Sequence, residues 1–205
     1  MARQGTKDRR KRLTGRLGGW SSSSSQDYLH LAHLLFCHSK SYAASCPGAN
    51  CSKYTWAALP VLLAALQALV VEYEVIVNPE PSGNPPSDIN APEFIKRYGI
   101  AGDLLDNFND LIELRNEVVH PAHAPTGTPD NWPAYLGRLK GLGVLETTGA
   151  ADHDYALLSQ IASHRLFEWA VQVVQSLYET VIRSDPQRAL HFSPYLTSFD
   201  PPWFQ

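Results

Sequence analysis

The sequence predicts an all-α fold, a bundle of four to five main helices. Three observations carry the prediction. Apolar residues recur every three or four positions through most of the chain, the period of helices buried along one side. The breaks between these runs are proline- and glycine-rich, as in CPGANC and NPEPSGNPPSDINAP. No convincing run of alternating apolar and polar residues argues for a strand, although Gly143–Glu146 could form one short extended piece.

The elements follow in order. Residues 1–25 are basic, then glycine-rich, then polyserine, a composition that cannot bury a core, and they are expected to be a disordered tail. From Gln26 the stretch QDYLHLAHLLFCHSKSYAA places Leu29, Leu31, Leu34 and Leu35 at helix-like spacing. Pro47 and Gly48 break that run. A second helix is expected from Tyr54 to Ile76, apolar nearly all round and therefore central. Its most apolar part, Ala57 to Val71, contains Pro60 and Gln67 and is fifteen residues long. A membrane span needs about 20, so this is read as a buried helix with no membrane role.

A short helix near Glu93–Tyr98 precedes GDLLDNFNDLIELRNEVVH, whose apolar residues at 104, 105, 108, 111, 112, 118 and 119 mark an amphipathic helix. Asp103 and Asp106 sit where the helix dipole favours anions, and Pro121 disfavours helical geometry at His120. After the short segment WPAYLGRLKGLGVL, a last helix is expected from Tyr155 to Arg183. Its apolar side includes Leu158, Ile161, Ala162, Phe167, Trp169, Val173 and Leu177. Trp169 is at helical spacing and reads as core rather than as a stacking platform. The division is a tail (1–25), a helical domain (26–190) and an aromatic extension (191–205), HFSPYLTSFDPPWFQ, expected to dock on the body or on a partner.

Charge and cysteines bound the function. The 205 residues carry a net −3. Residues 1–16 hold seven basic side chains against one acid, +6, leaving ten basic and nineteen acidic side chains, −9, for the rest. That body lacks the overall basic character of a nucleic-acid-binding domain, so any RNA contact rests on the tail or a local cluster. Three cysteines, an odd number, with no apolar signal region behind the basic start, point to a reducing, cytoplasmic setting rather than a disulfide framework.

The residues that call for chemistry lie in LRNEVVHP. Phe108, Leu111, Ile112, Arg115 and Val119 share one helix face, so Arg115 stands where an apolar residue belongs. A buried guanidinium must be paired, or must face a cleft that binds an anion. Asn116 and His120 are four apart and adjacent on the helix surface. A histidine at a helix C-terminus is favoured in its cationic form. Arginine beside a titratable histidine suits phosphoryl chemistry: the first holds developing charge, the second moves protons.

These residues resemble the R-x4-H signature of HEPN domains, in which a polar residue often follows the arginine. Arg115, Asn116 and His120 match it, and the likeness extends over about residues 26–185. The resemblance implies a HEPN-like helical bundle that forms a homodimer, with two motifs facing one composite cleft. It implies a metal-independent endoribonuclease needing no cofactor, in which a ribose 2′-hydroxyl attacks the adjacent phosphate. His120 would be the acid–base group, Arg115 would hold the scissile phosphate and Asn116 would orient the site. Such domains serve as toxins or phage-defence effectors, with an antitoxin or sensor protein as possible partner. A tyrosine two residues after the histidine, present in some relatives, is Ala122 here. Other relatives are non-catalytic and bind a protein or a nucleotide, and the residues leave that alternative open.

Other candidates are weaker. His30, His33, His38, Cys37, Cys46 and Cys51 invite zinc, but Cys46 and Cys51 flank four residues with no second pair at matching distance. They are read as surface or satisfied groups, with no metal. His123 follows the motif helix in a loop, where it would line the cleft or be exposed, and it is read as exposed. Glu113 and Glu117 read as surface acids or as partners for a basic side chain such as Arg115. No phosphate-cradling glycine motif is present.

Overall fold

The computed structural model describes residues 24–45, 52–77, 98–119, 133–145 and 163–184. Within them are five helices and no strand: α1 (Ser24–Ser45), α2 (Ser52–Val77), α3 (Asp103–Val119), α4 (Ala134–Gly141) and α5 (His164–Arg183). The short helix expected over residues 93–98 falls outside the described residues except at Tyr98, which is helical.

In α1, Ser25, Leu29, Ala32, Phe36 and Ser39 are buried, a stripe spaced four, three, four, three along one side. The helix therefore starts at Ser24, two residues before the apolar pattern placed it. Leu31 and Leu34, counted in the sequence as part of the apolar side, are instead 45% and 46% exposed. Small residues at 25, 32 and 39 let the neighbouring helices approach that stripe.

The expectation for α2 holds. Ala58, Leu59, Leu62, Ala65, Leu66 and Leu69 are all fully buried, and α2 packs against α1, α3 and α5. By length and composition Lys53–Val70 would also suit a membrane crossing, but half of it is buried inside the bundle. Pro60 lies within the helix and deprives the Trp56 carbonyl of its usual donor.

The piece at Gly143–Glu146 forms no strand over its described part, where Gly143 is in a turn; Glu146 lies outside. Gly143, at φ +69, closes α4. Its N–H donates to Lys140 O at 2.9 Å and the Val144 N–H to Leu139 O at 3.3 Å. This paired arrangement satisfies the last carbonyls of a helix and needs a residue that tolerates positive φ. A single glycine thus decides turn over strand.

The last helix begins at His164, not Tyr155. Ser163 is extended (φ −80, ψ 150) and caps it, its Oγ accepting from Leu166 N. The same hydroxyl donates to Val144 O at 2.6 Å, and the Ser163 carbonyl accepts from Thr55 Oγ1 at 3.2 Å. Leu158, Ile161 and Ala162 lie outside the described residues; Phe167, Trp169, Val173 and Leu177 are buried as expected. Because Ser163 joins the end of α4, the start of α2 and the start of α5, Ser163→Ala is expected to cost about 2 kcal/mol, the upper end for a helix cap. Urea unfolding measures it, and a loss under about 0.5 kcal/mol would show that the junction is not held by this hydroxyl.

Contacts along the chain orient the bundle. Ser39 Oγ is 2.9 Å from His164 Nδ1, and Gln26 Nε2 donates to the Tyr178 hydroxyl at 3.3 Å, so α1 and α5 run antiparallel. His38 and Tyr42 of α1 meet Tyr54 of α2, the mark of an antiparallel hairpin.

Candidate functional site

Helix α3 carries the motif and has two chemically distinct sides. At 100° per residue, Asp106, Asp110, Glu113 and Glu117 fall within one arc. They lie about 140–200° round the helix from Arg115. The acidic side meets α4. Asp110 is 1% exposed, and it pairs with Arg138, whose Nε donates to Oδ2 at 3.1 Å and whose terminal nitrogen donates to Oδ1. The hydrogen bond to Asp110 is the chief cause raising the basicity of Arg138 further. Tyr135, one turn earlier on α4, is buried. Its phenol is held well above the ordinary range, first by burial and then by the charges of Glu117, Glu113 and Asp110.

These contacts set direction as well as charge. Tyr135 lies towards Glu113 and Glu117, and Arg138 towards Asp110 and Asp106, so α4 runs antiparallel to α3. The end of α4 then reaches Ser163 through Val144. The C-terminal turn of α3 is therefore directed away from the start of α5, towards the end of the bundle where α1 begins.

The three motif residues are placed as follows. Arg115 is half-buried, on the side of α3 that also carries the buried Phe108 and Leu111. Its Nε is buried and has no hydrogen-bond partner among the described residues. Asn116 is half-buried, about 100° further round. His120 lies outside the described residues, as does His123, so the joining of Asn116 to His120 is not placed.

Asp110 and Arg138 were not among the residues expected to form a pair: the buried acid of α3 is Asp110, and its partner is Arg138 rather than Arg115. The available signal was an acid flanked by the core residues Phe108 and Leu111. Removing Arg138 leaves that carboxylate buried alone. Because Arg138 is itself half in solvent (49% exposed side chain), Arg138→Ala is expected to cost about 2 kcal/mol, less than a fully buried pair. Asp110→Asn keeps an acceptor without the charge and is expected to cost less than about 1 kcal/mol. Denaturant titration of the two variants measures this asymmetry, and equal losses would contradict it.

Elsewhere, His33 Nε2 lies 3.2 Å from Cys37 Sγ, on the exposed side of α1. Burial, and then the charge of His30, lower the His33 pKa. Cys46 and Cys51 fall outside the described residues. Among the described residues no group of three or more His, Cys, Asp or Glu side chains is placed to hold a metal ion. What the geometry defines is an all-α helical bundle carrying a half-buried arginine near the end of an inner helix. No family model, no curated protein and no solved structure matches the chain.

Proposed function

We propose that the protein is a metal-independent endoribonuclease of the HEPN type, acting as a cytoplasmic toxin or phage-defence effector. The observation that carries the reading is Arg115, a half-buried guanidinium whose Nε has no partner among the described residues. A purely structural arginine on an inner face is expected to be paired with an acid. The acids of this helix lie on its far side, and the most buried of them is already paired with Arg138. Arg115 is thus left to meet an anion, and its planar fork suits a phosphate diester.

In this reading two chains form a homodimer and bring their motifs to one cleft. Arg115 holds the scissile phosphate, Asn116 orients it, and His120 moves the proton as the ribose 2′-hydroxyl attacks. The products are a 2′,3′-cyclic phosphate and a 5′-hydroxyl. A non-catalytic module of the same fold, binding a protein or a nucleotide, is the second reading, and the acidic body favours it. The test is cleavage of total cellular RNA in EDTA, with end-group analysis, beside His120→Ala. Cyclic phosphate ends from the wild type, at a rate at least about 10²-fold above the variant, support the nuclease. Equal cleavage by both removes the assigned site.

A further inference from the structure

The far end of the α1–α2 hairpin holds a cluster that the motif chemistry does not use. The rings of His38 and Tyr54 are stacked, with centroids 6.2 Å apart and 12° between planes. Tyr42 meets Tyr54 edge-on at 6.0 Å. Lys53 Nζ stands 5.2 Å from the Tyr42 centroid and 5.0 Å from that of Tyr54. Lys53 and His38 are exposed, Tyr42 is 36% exposed and Tyr54 is half-buried. The cluster lies away from α5, which α1 and α2 meet through Ser39 and Thr55 instead.

Charge singles out the same place. The body of the chain is acidic, yet no Asp or Glu occurs from residue 28 to residue 71, the stretch that builds this hairpin end. Its charged side chains are Lys40 and Lys53. The start of α5 carries Arg165, and Glu168 there lies 3.6 Å from His164. Aromatic faces interleaved with cations are what single-stranded nucleic acid requires. Bases stack on the rings whatever their sequence, and the phosphates meet the cations.

We propose that Tyr42, Lys53, Tyr54 and His38 form a binding surface for single-stranded nucleic acid, distinct from the Arg115 site. A base stacks on the tyrosine pair, and Lys53 turns from the rings to the adjoining phosphate. The surface does not depend on the ribonuclease reading, because stacking requires no 2′-hydroxyl.

The test is fluorescence anisotropy of a labelled twelve-residue oligothymidylate, which lacks the 2′-hydroxyl that cleavage would need, with the full chain at low salt. The wild type is expected to bind. Tyr42→Ala is expected to weaken binding about 10-fold, within the range for losing one stacked base. Lys53→Gln, at an exposed position that leaves folding undisturbed, is expected to weaken it and to flatten its dependence on log salt by about 0.7. An abasic oligomer of equal charge should bind the wild type as weakly as oligothymidylate binds Tyr42→Ala. No binding by the wild type, or equal binding by wild type and both variants, overturns the proposal; equal binding would place the contact on the basic N-terminal residues. Oligothymidylate binding without RNA cleavage leaves this surface standing and removes only the ribonuclease.

Discussion

Phe167→Ala is expected to destabilise the bundle by about 3–5 kcal/mol, the cost of emptying a fully closed aromatic site. Phe167 is 0% exposed. It meets Phe36 of α1 nearly edge-on, with centroids 5.3 Å apart, and lies 6.5 Å from the His164 ring of its own helix. The residue therefore joins two helices that are more than a hundred positions apart in sequence. Small domains are stable by only about 5–15 kcal/mol in total, so the loss would remove a large share of that stability. Phe167→Leu, which fills most of the space, is expected to cost about 1–2 kcal/mol. Urea titrations with unchanged slope measure both. A loss below about 1 kcal/mol for the alanine variant would mean that α5 does not pack against α1 through this ring.

The contrast between α2 and α1 shows how much of the fold was legible and why. In α2 most positions are apolar, so its central place followed from composition, although only half of Lys53–Val70 is buried. In α1 two apolar stripes compete. The period announced a helix, but Leu31 and Leu34 were as hydrophobic as the leucine that is buried. What decides the side is the small residues at 25, 32 and 39, which matter only once a neighbouring helix is known. The start of α5 failed for a related reason. Apolar spacing continues upstream of Ser163, while the serine that ends it acts through Thr55 and Val144, both distant in sequence. Asp110 and Arg138, twenty-eight residues apart, are the same case. Local periodicity carries no information about which helix will supply the counter-charge. Arg115 was legible because its signal is local: a charged residue on the face set by Phe108, Leu111 and Ile112.

On the proposed ribonuclease reading, Arg115→Met is expected to slow RNA cleavage about 10²–10³-fold while leaving the fold at least as stable as before. The two effects come from one geometry. A half-buried guanidinium with an unpartnered Nε loses solvation and regains little from the protein. Methionine fills similar volume with no polar group, and replacing a poorly satisfied charge in this way is neutral or stabilising, here by up to about 1 kcal/mol. Cleavage follows the opposite course. Removing one preorganised donor from a developing oxyanion typically costs about 10²–10³-fold in rate. Arg115→Lys keeps the charge but not the fork, so it should recover only part of the activity. Stability by urea titration and cleavage rate in EDTA, measured on the same preparations, separate the roles of this residue. A structural arginine, paired with an acid, would give the reverse pattern: Arg115→Met would lose about 2 kcal/mol or more, because the partner acid would be left buried and alone. A variant that is both destabilised and fully active would assign Arg115 to the core and remove it from the site. A gain in stability with loss of cleavage is the signature of a group held in an unfavourable place for the sake of a bound phosphate.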